Sequence, residues 1–436
     1  MKQLNINKFF ETQYKPYSSY DNERSIVNLI DGLKITQRKV MYTCLLNNIT
    51  SEMKVAQLAS SVAFVTHYHH GEAGIGGVIC NLAQNFVGSN NLNWLEPIGQ
   101  FGSRLCPVPA AHRYIFTKLS KNFREFFKKE DDIILEHLYE DEHKIEPKYF
   151  IPTLPGVLLN SSQGIGTGFA SNILARNEKE LSNYIYAKLT DKSTAEFELL
   201  PYFNGFKGTV KHIEDLKYQI KGSFRRVSAT QIKITELPIG MYLEDVKKHL
   251  NKLIDGSFIK DYDDNSTEDS FDIDIFFQRG ILLTLDDDQL MDKMKLSTTI
   301  TENLTCWLDT GKLRKFKDVR DIIDYFIKFR LNIYSKRIAK LLEIVEIDLK
   351  TVLTKIRFIE FYLSNVEKFR NASKLELIAI LDEESFDMSM LEMKIYNLTK
   401  DKIKELNDNL KSLIKTKKEL TKTTNKQLYL QELKIL

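Results

Sequence analysis

No glycine and no proline follows Gly311, so residues 312–436 lack the two residue types that most readily end a helix. Through DVRDIIDYFIKFRLNIYSKRIAKLLEIVEIDLKTVLTKIRFIEFYL, apolar residues recur every three or four positions, the period of one helix face. A helix of that length predicts a coiled coil or a long helical hairpin. A second periodic stretch, TKDKIKELNDNLKSLIKTKKELTKTTNKQ, is placed to run back along the first, with KLELIAILDEESFDMSMLEMKIYNL forming a small globule between them. An apolar knob at the far end of a helical pair has surface to share, which predicts a dimer contact there. A helical bundle packed on its own chain fits the same periodicity.

Upstream the texture changes twice. From about Asp21 to Thr190, helical periodicity alternates with turns marked by Gly and Pro, as in NLIDGLK, EPIGQFGSR and IPTLPGVLLNSSQGIGTG. From about Asp191 to Asp309, short β-prone runs such as TQIKITELPIG and FDIDIFFQRGILLTL read as a separate α+β unit. With 436 residues, 43% of them hydrophobic, the chain can bury several cores. Its 62 basic and 59 acidic side chains leave a net charge of only +3, so affinity for a polyanion must come from local clustering. The polar N-terminus has no signal-peptide core and no run reaches the length of a membrane span, which predicts a soluble, intracellular protein. Cys44, Cys80, Cys106 and Cys306 show no CxxC spacing and read as ordinary reduced thiols.

One basic cluster stands out in DNERSIVNLIDGLKITQRKV. Arg24, Lys34, Arg38 and Lys39 flank a DG turn, and Lys34 and Arg38 share a face if helix begins directly after it. Such a cluster suits phosphates, although taken alone it is more often a solvated face. In KVAQLASSVAFVTHYHHGEAGIGGVICNLAQNF, the small residues Ala56, Ala59 and Ala63 lie on one helix, HHG makes a turn and a second periodic helix begins near Gly71. That is a helix-turn-helix, and it sets His69 and His70 at a helix N-terminus able to receive a phosphate. His67, His69 and His70 have no acidic or cysteine ligand at suitable spacing, so no metal site is expected here. SSQGIGTGF lacks both the GK[ST] ending and the GxGxxG spacing of nucleotide loops and reads as a tight turn into a strand. The trio Asp286 to Asp288 reads as a solvated loop.

AAHRYIFTKL places Tyr114 after a histidine and an arginine. An isolated tyrosine is usually a buried ring. A phenol attacking phosphate, with its reference pKa of about 10, needs a neighbouring cation or metal and a base. Arg113 is adjacent, and both basic sets lie upstream.

The segments NERSIVNLIDGLKITQRKV, KVAQLASSVA, YHHGE, LAQNFVGSNNLNWLEPIGQFGSR, RYIFTKL, IEPKYFIPTLPGVLLN, GIGTGF, ITELPIG and LEMKIYNLTKDKIKEL, in that order, resemble the breakage-reunion region of type IIA DNA topoisomerases. Several are similar to the eukaryotic enzyme, while the length resembles the separate medium subunit of T-even phage topoisomerase, the counterpart of the gyrase A subunit. The resemblance implies a multidomain α+β fold: an arm over residues 1–20, a winged-helix DNA-binding and cleavage domain over 21–190, an α/β tower over 191–310, and a long coiled coil with a helical C-terminal dimer gate over 311–436. It implies that Tyr114 is the nucleophile, forming a 5′-phosphotyrosyl bond, with Arg113 stabilising charge on the phosphate. Arg24, Lys34, Arg38 and His70 fall on positions lining the cleavage site and, with neighbouring Lys39, are expected to contact DNA.

By the same resemblance Ile173 wedges between base pairs to bend the duplex, although Leu174 stands where the family has proline. The tyrosine loop FGSRLCPVPAAHRY is shorter than the eukaryotic one and lacks its GGKD. No segment corresponds to the family's ATP-binding domain or to its acidic metal-binding domain. Mg²⁺ and ATP are therefore expected on a separate partner subunit, in an A2B2 assembly with a homodimer of this chain and double-stranded DNA. Relaxation and decatenation are expected rather than supercoiling, in the host-cell cytoplasm if the source is a phage. Ala73 and Gly77, where the gyrase A subunit carries a serine and an acidic residue, imply weak quinolone poisoning. A non-enzymatic helix-turn-helix scaffold is the alternative, and it would not need Tyr114.

Overall fold

Three helices and a small antiparallel sheet organise the first third of the chain, in the computed structural model that describes residues 6–69 and 71–434. Helical turns at Ile6–Phe9 and Phe10–Tyr14 lead into α1 (Lys15–Ser25). Then α2 (Ile35–Leu46), α3 (Val55–Val65) and α4 (Glu72–Ala83) pack on one another. Val40, Met41, Leu58, Val62, Ile75 and Ile79 are fully withdrawn from water. The sheet is β1 (Met53–Lys54), β2 (Leu95–Ile98) and β3 (Phe116–Leu119) in the order β1-β3-β2, with both pairings antiparallel. This is a winged-helix arrangement, and the β2–β3 connection carries Tyr114.

Two hairpins follow, β4 (His137–Glu140) with β5 (His143–Pro147) and β6 (Ser162–Gly166) with β7 (Phe169–Ile173). The β6–β7 hairpin accounts for the glycine-rich motif. A Cβ at Gly164 would lie 2.0 Å from the Ser25 carbonyl oxygen, and one at Gly166 would lie 2.4 Å from Asn22 Oδ1. These glycines bring the hairpin against α1, and Gly168 turns it at φ +79°. After α5 (Glu178–Leu189) comes the second α+β region. Here β8 (Thr209–Glu214) and β9 (Lys217–Lys221) precede β10 (Ser223–Ser228), β11 (Gln231–Glu236), α6 (Leu243–Asp255), β12 (Asp261–Asp264), β13 (Ile273–Phe276) and β14 (Ser297–Thr301). The strands form sheets ordered β10-β11-β13-β12 and β14-β9-β8. Alternate residues Ile232, Ile234, Ile273 and Ile275 face Val246 and Leu250 of α6 in one core.

Asp286 to Asp288 are exposed, as expected, but they open a helix rather than form a loop. Asp286 caps a short helix, Asp287–Lys293, through Gln289 N, while Arg226 Nε and Lys221 Nζ each stand 2.9 Å from Asp287 and Asp288 respectively. Those cations come from distant strands, which is why sequence proximity did not reveal them.

Beyond β15 (Thr305–Trp307) and β16 (Leu313–Lys315) runs α7 (Val319–Ser364), 46 residues long. The chain divides into two compact units, residues up to Phe329 with the last few from Glu432, and Arg330–Gln431. Within the second unit, Val352, Ile356 and Ile359 of α7 pack with Leu406, Ile403, Leu410 and Leu413 of α8 (Lys400–Lys422). Lys417 Nζ lies 2.8 Å from Glu346, so α8 returns antiparallel to α7. The intervening globule is built on Phe358, Leu381, Phe386 and Met390. A final helix, α9 (Asn425–Leu433), follows. Among the described residues no helix is long and apolar enough to cross a membrane.

The ion pair Arg176–Glu302 ties the end of β7 to the residue after β14, with both side chains 0% exposed and Nη2 2.7 Å from Oε2. Glu302 also accepts from Leu174 N at 2.7 Å. Removing one buried partner strands the other charge, so Arg176→Met is expected to lower unfolding stability by about 3–5 kcal/mol. Arg176→Met with Glu302→Leu should recover most of that loss. Urea unfolding of both variants tests this, and equal losses in the two would contradict the charge-compensation account.

Candidate active site

Tyr114 stands two residues before β3, at the end of a long connection that is tied down along its length. Gly99 and Gly102 take φ of +104° and +96°, and a Cβ at Gly102 would lie 2.5 Å from the Pro107 carbonyl oxygen. Gln84, at the end of α4, donates from Nε2 to the carbonyls of Phe101 at 2.8 Å and Pro107 at 3.1 Å. Arg104 is buried, donating to the Leu237 carbonyl at 3.0 Å and pairing with Glu236 at 3.2 Å, which fastens the loop to the second α+β region. At the other end, the free N–H groups that open α3 are used: Val55 N donates to the Ile115 carbonyl at 3.0 Å and Ala56 N to that of His112 at 3.2 Å. The His112 ring fills the space beside Gly76, where an added Cβ would lie 2.2 Å from Nδ1.

The loop backbone is fixed, yet the Tyr114 side chain is 66% exposed. Arg113 holds its guanidinium carbon 4.9 Å from the Tyr114 ring centroid. A phenol and a guanidinium stacked on a fixed backbone and open to solvent can meet one phosphate together.

A second set gathers where α1 meets the β6–β7 hairpin. Arg24, Lys34, Asp21, Gln163 and Ile165 line a groove of about 520 Å³. Lys34 Nζ donates to the Gln163 carbonyl at 2.8 Å, and burial pulls its ammonium below the ordinary lysine value. A phosphate there would supply the counter-charge the amine lacks. Among the described residues no hydrogen bond or ion pair joins this set to Tyr114 or Arg113.

Three sequence expectations meet obstacles. Arg38 does not face a ligand: it is buried, with Nε 2.7 Å from Asp31 Oδ2 and Nη2 3.1 Å from the Leu33 carbonyl. Lys34 is the extended N-cap residue of α2 at ψ 162°, so the four-residue spacing did not put the two cations on one face. Lys39 is likewise engaged, 2.8 Å from Glu146 and 3.1 Å from the Thr66 carbonyl. Ile173 is 0% exposed and has no surface to place between bases. The exposed isoleucine of that hairpin is Ile165, at 78%. In the register Ser162↔Ile173 and Ile165↔Ala170, the two isoleucines point to opposite faces. His70 lies outside the described residues; His69 is 3.1 Å from Glu140.

Sequence reasoning missed Ile165, His112 with Gly76, and Gln84. For Ile165 the signal was present: an isoleucine between two glycines in a hairpin has no neighbouring side chains to cover it. Among the described residues no three His, Cys, Asp or Glu side chains converge as a metal site. The residues around Tyr114 are cationic and do not suit a divalent ion.

Comparisons with known proteins agree on one group. The family model for the A subunit of DNA gyrase/topoisomerase IV matches residues 24–434. The mitochondrial DNA topoisomerase 2 of Dictyostelium discoideum is 35% identical over 454 residues, covering 100% of this chain and 35% of that protein. DNA topoisomerase 2-alpha of Rattus norvegicus is 38% identical over 393 residues, covering 88% of this chain and 26% of that one. This chain thus spans about a third or less of those relatives. The solved DNA-binding, cleavage and re-ligation domain of Plasmodium falciparum topoisomerase II superposes with a TM-score of 0.92 at 32% identity, covering 100% of this chain and 64% of that one. The match over nearly the whole length, on a fold that presents an exposed tyrosine from its wing, places the chain in the family of DNA gyrase and topoisomerase IV A subunits.

Proposed function

We propose that the chain is the DNA-cleaving subunit of an ATP-dependent type IIA topoisomerase, which opens one duplex so that another can pass. The exposed Tyr114 phenol, carried on a rigid loop beside Arg113, is the observation that carries this reading. Tyr114 Oη attacks a backbone phosphorus, the P–O3′ bond breaks, and the products are a 5′-phosphotyrosyl bond and a free 3′-hydroxyl. The phenol proton passes to water or a base as attack proceeds, and the departing 3′ oxygen takes up a proton. Resealing is the reverse, with the 3′-hydroxyl displacing the tyrosine. Arg113 offsets charge building on the phosphate oxygens. Because phosphodiester is exchanged for phosphodiester, the break conserves the energy needed to close it.

Arg24 and Lys34 hold the duplex backbone beside the hairpin, and Ile165 enters a base step, where unstacking costs a few kcal/mol that added backbone contacts offset. Arg38 and Lys39 hold the frame rather than the phosphate. Residues 21–190 serve as the cleavage domain, 191–310 as the tower and 311–436 as coiled coil and gate, with 1–20 as an arm. A homodimer supplies one tyrosine per strand. Exposed Leu375, Ile395 and Tyr396 on the terminal globule support a gate contact there. ATP hydrolysis and the magnesium site belong to a separate subunit in an A2B2 assembly, magnesium supplying polarisation of the scissile phosphate when bound. That GIGTGF is spent on packing a hairpin against α1 supports placing the nucleotide elsewhere.

Tyr114→Phe removes only the hydroxyl. With the ATPase subunit, DNA and magnesium, wild type is expected to leave protein covalently on 5′ DNA ends after denaturation, and the variant none, while both bind DNA equally. Wild-type complexes bound to DNA without adduct would favour the scaffold reading, and adducts on 3′ ends would indicate a recombinase-type attack.

Ile165→Ala should reduce DNA bending, read by energy transfer between duplex ends, and slow cleavage. Ile173→Val should leave the bend angle unchanged at a stability cost of about 0.5–1.5 kcal/mol. The opposite pattern would return the wedge to Ile173.

A further inference from the structure

The second unit carries a line of positive charge that the cleavage chemistry does not use. Residues 411–426 hold six lysines and one glutamate, whereas the whole chain is only +3, so the rest of the sequence is net negative. On α8, Lys404, Lys411, Lys415, Lys418 and Lys422 fall within an arc of about 60° when projected at 100° per residue. All five are exposed. The line extends about 27 Å at 1.5 Å per residue. The packed residues Ile403, Leu406, Leu410 and Leu413 occupy the far side of the helix, and Lys417, which also projects to that side, is the lysine paired with Glu346.

Carboxylates touch only the edge of the line. Lys411 meets Asp408 at 3.1 Å and Lys415 meets Glu419 at 4.0 Å, both between well-exposed groups. Among the described residues no carboxylate lies within ion-pair distance of Lys404, Lys418 or Lys422. Helices of this kind gain stability from opposite charges spaced four apart, and like charges at that spacing cost a few tenths of a kcal/mol. Lys411 with Lys415 and Lys418 with Lys422 set the latter arrangement on the exposed face.

We propose that this lysine line is a docking surface for the backbone of the second, passing duplex. The inference rests on the topoisomerase reading above, which requires two duplexes and has assigned residues to only one. A row of point charges one or two helical turns apart fits a polyanion with about one charge per 1.7 Å of axis. It carries no aromatic anchor of the kind that concentrates protein–protein binding energy. Lysine contacts to phosphate position a duplex without reading its sequence, as a segment passed at arbitrary sites demands.

The test replaces the five lysines with glutamine, which preserves helix propensity, or with arginine, which preserves charge. Each chain is assembled with the ATPase subunit, and decatenation of linked circles is compared with covalent cleavage at Tyr114. Glutamine should slow decatenation roughly tenfold at low salt with cleavage unchanged, the gap closing as salt screens the wild-type lysines. Arginine should restore the rate. Equal decatenation by the glutamine and wild-type chains would overturn the proposal. So would an equal fall in cleavage and decatenation, which would mean general damage. Absence of cleavage in the wild type itself would instead remove the topoisomerase reading, and this proposal with it.

Discussion

The Asp31 carboxylate holds together the part of the molecule on which the site depends. It is buried and accepts from Arg38 Nε at 2.7 Å, Arg38 Nη2 at 3.2 Å, Leu33 N at 3.0 Å and Phe150 N at 3.0 Å. One side chain thus ties the turn after α1 to the start of α2 and to a segment more than a hundred residues downstream. The turn itself interlocks with another backbone. A Cβ at Gly32 would lie 2.3 Å from the Gly156 carbonyl oxygen, one at Gly156 would lie 2.3 Å from the Asp31 carbonyl carbon, and Gly156 N donates to the Ile30 carbonyl at 2.8 Å. Neither glycine tolerates a side chain, and Gly32 also sits at φ +67°. Lys34 follows this fixed turn directly, so its direction toward the hairpin is set by Asp31 rather than by its own helix.

The cations divide into two populations by the partner that burial gives them. Arg38, Arg104 and Arg176 are buried against carboxylates, and Lys39 is nearly so. A charge withdrawn from water costs several kcal/mol unless it is paired and hydrogen-bonded, and each of these is. Their work is to join segments distant in sequence: turn to helix, tyrosine loop to the second α+β region, and hairpin to strand. Arg24, Lys34 and Arg113 have no carboxylate partner within ion-pair distance among the described residues and keep their charge available. The second population is thus exposed or groove-lining charge carried on a frame made rigid by the first.

The helical C-terminal region was legible because its determinant is local. Three- and four-residue periodicity with no Gly or Pro predicted α7, and the returning helix and intervening globule followed from the same pattern. Tyr114 was singled out through its neighbours and the family resemblance, and the structure leaves it exposed. What sequence could not supply was the sense of each basic side chain. Arg38 seemed to share a face with Lys34, but the helix begins one residue later than that argument needs, and Asp31 draws Arg38 inward. Ile173 and Ile165 lie on one hairpin, and only the strand register decides which faces water. A shift of one residue inverts every side chain in a strand, so a residue identity without a register cannot separate an exposed isoleucine from a core one. Asp286 to Asp288 were misread for a related reason, since their partners Lys221 and Arg226 arrive from other strands.

The proposed nucleophile, Tyr114, sits on a loop that barely resembles one. The connection from β2 to β3 carries two glycines at positive φ, a buried arginine, paired hydrogen bonds from Gln84 and two from the start of α3. Each removes backbone freedom without covering the phenol. In-line displacement at phosphorus requires the attacking oxygen near 3 Å and opposite the leaving oxygen, a geometry whose entropic cost can reach several kcal/mol when the nucleophile is free to wander. Here the backbone share of that cost is met during folding, by bonds to backbone groups that would otherwise be unpaired. In the proposed reaction the same backbone rigidity would serve religation, by keeping a 5′ end joined to Tyr114 close to the 3′-hydroxyl it left.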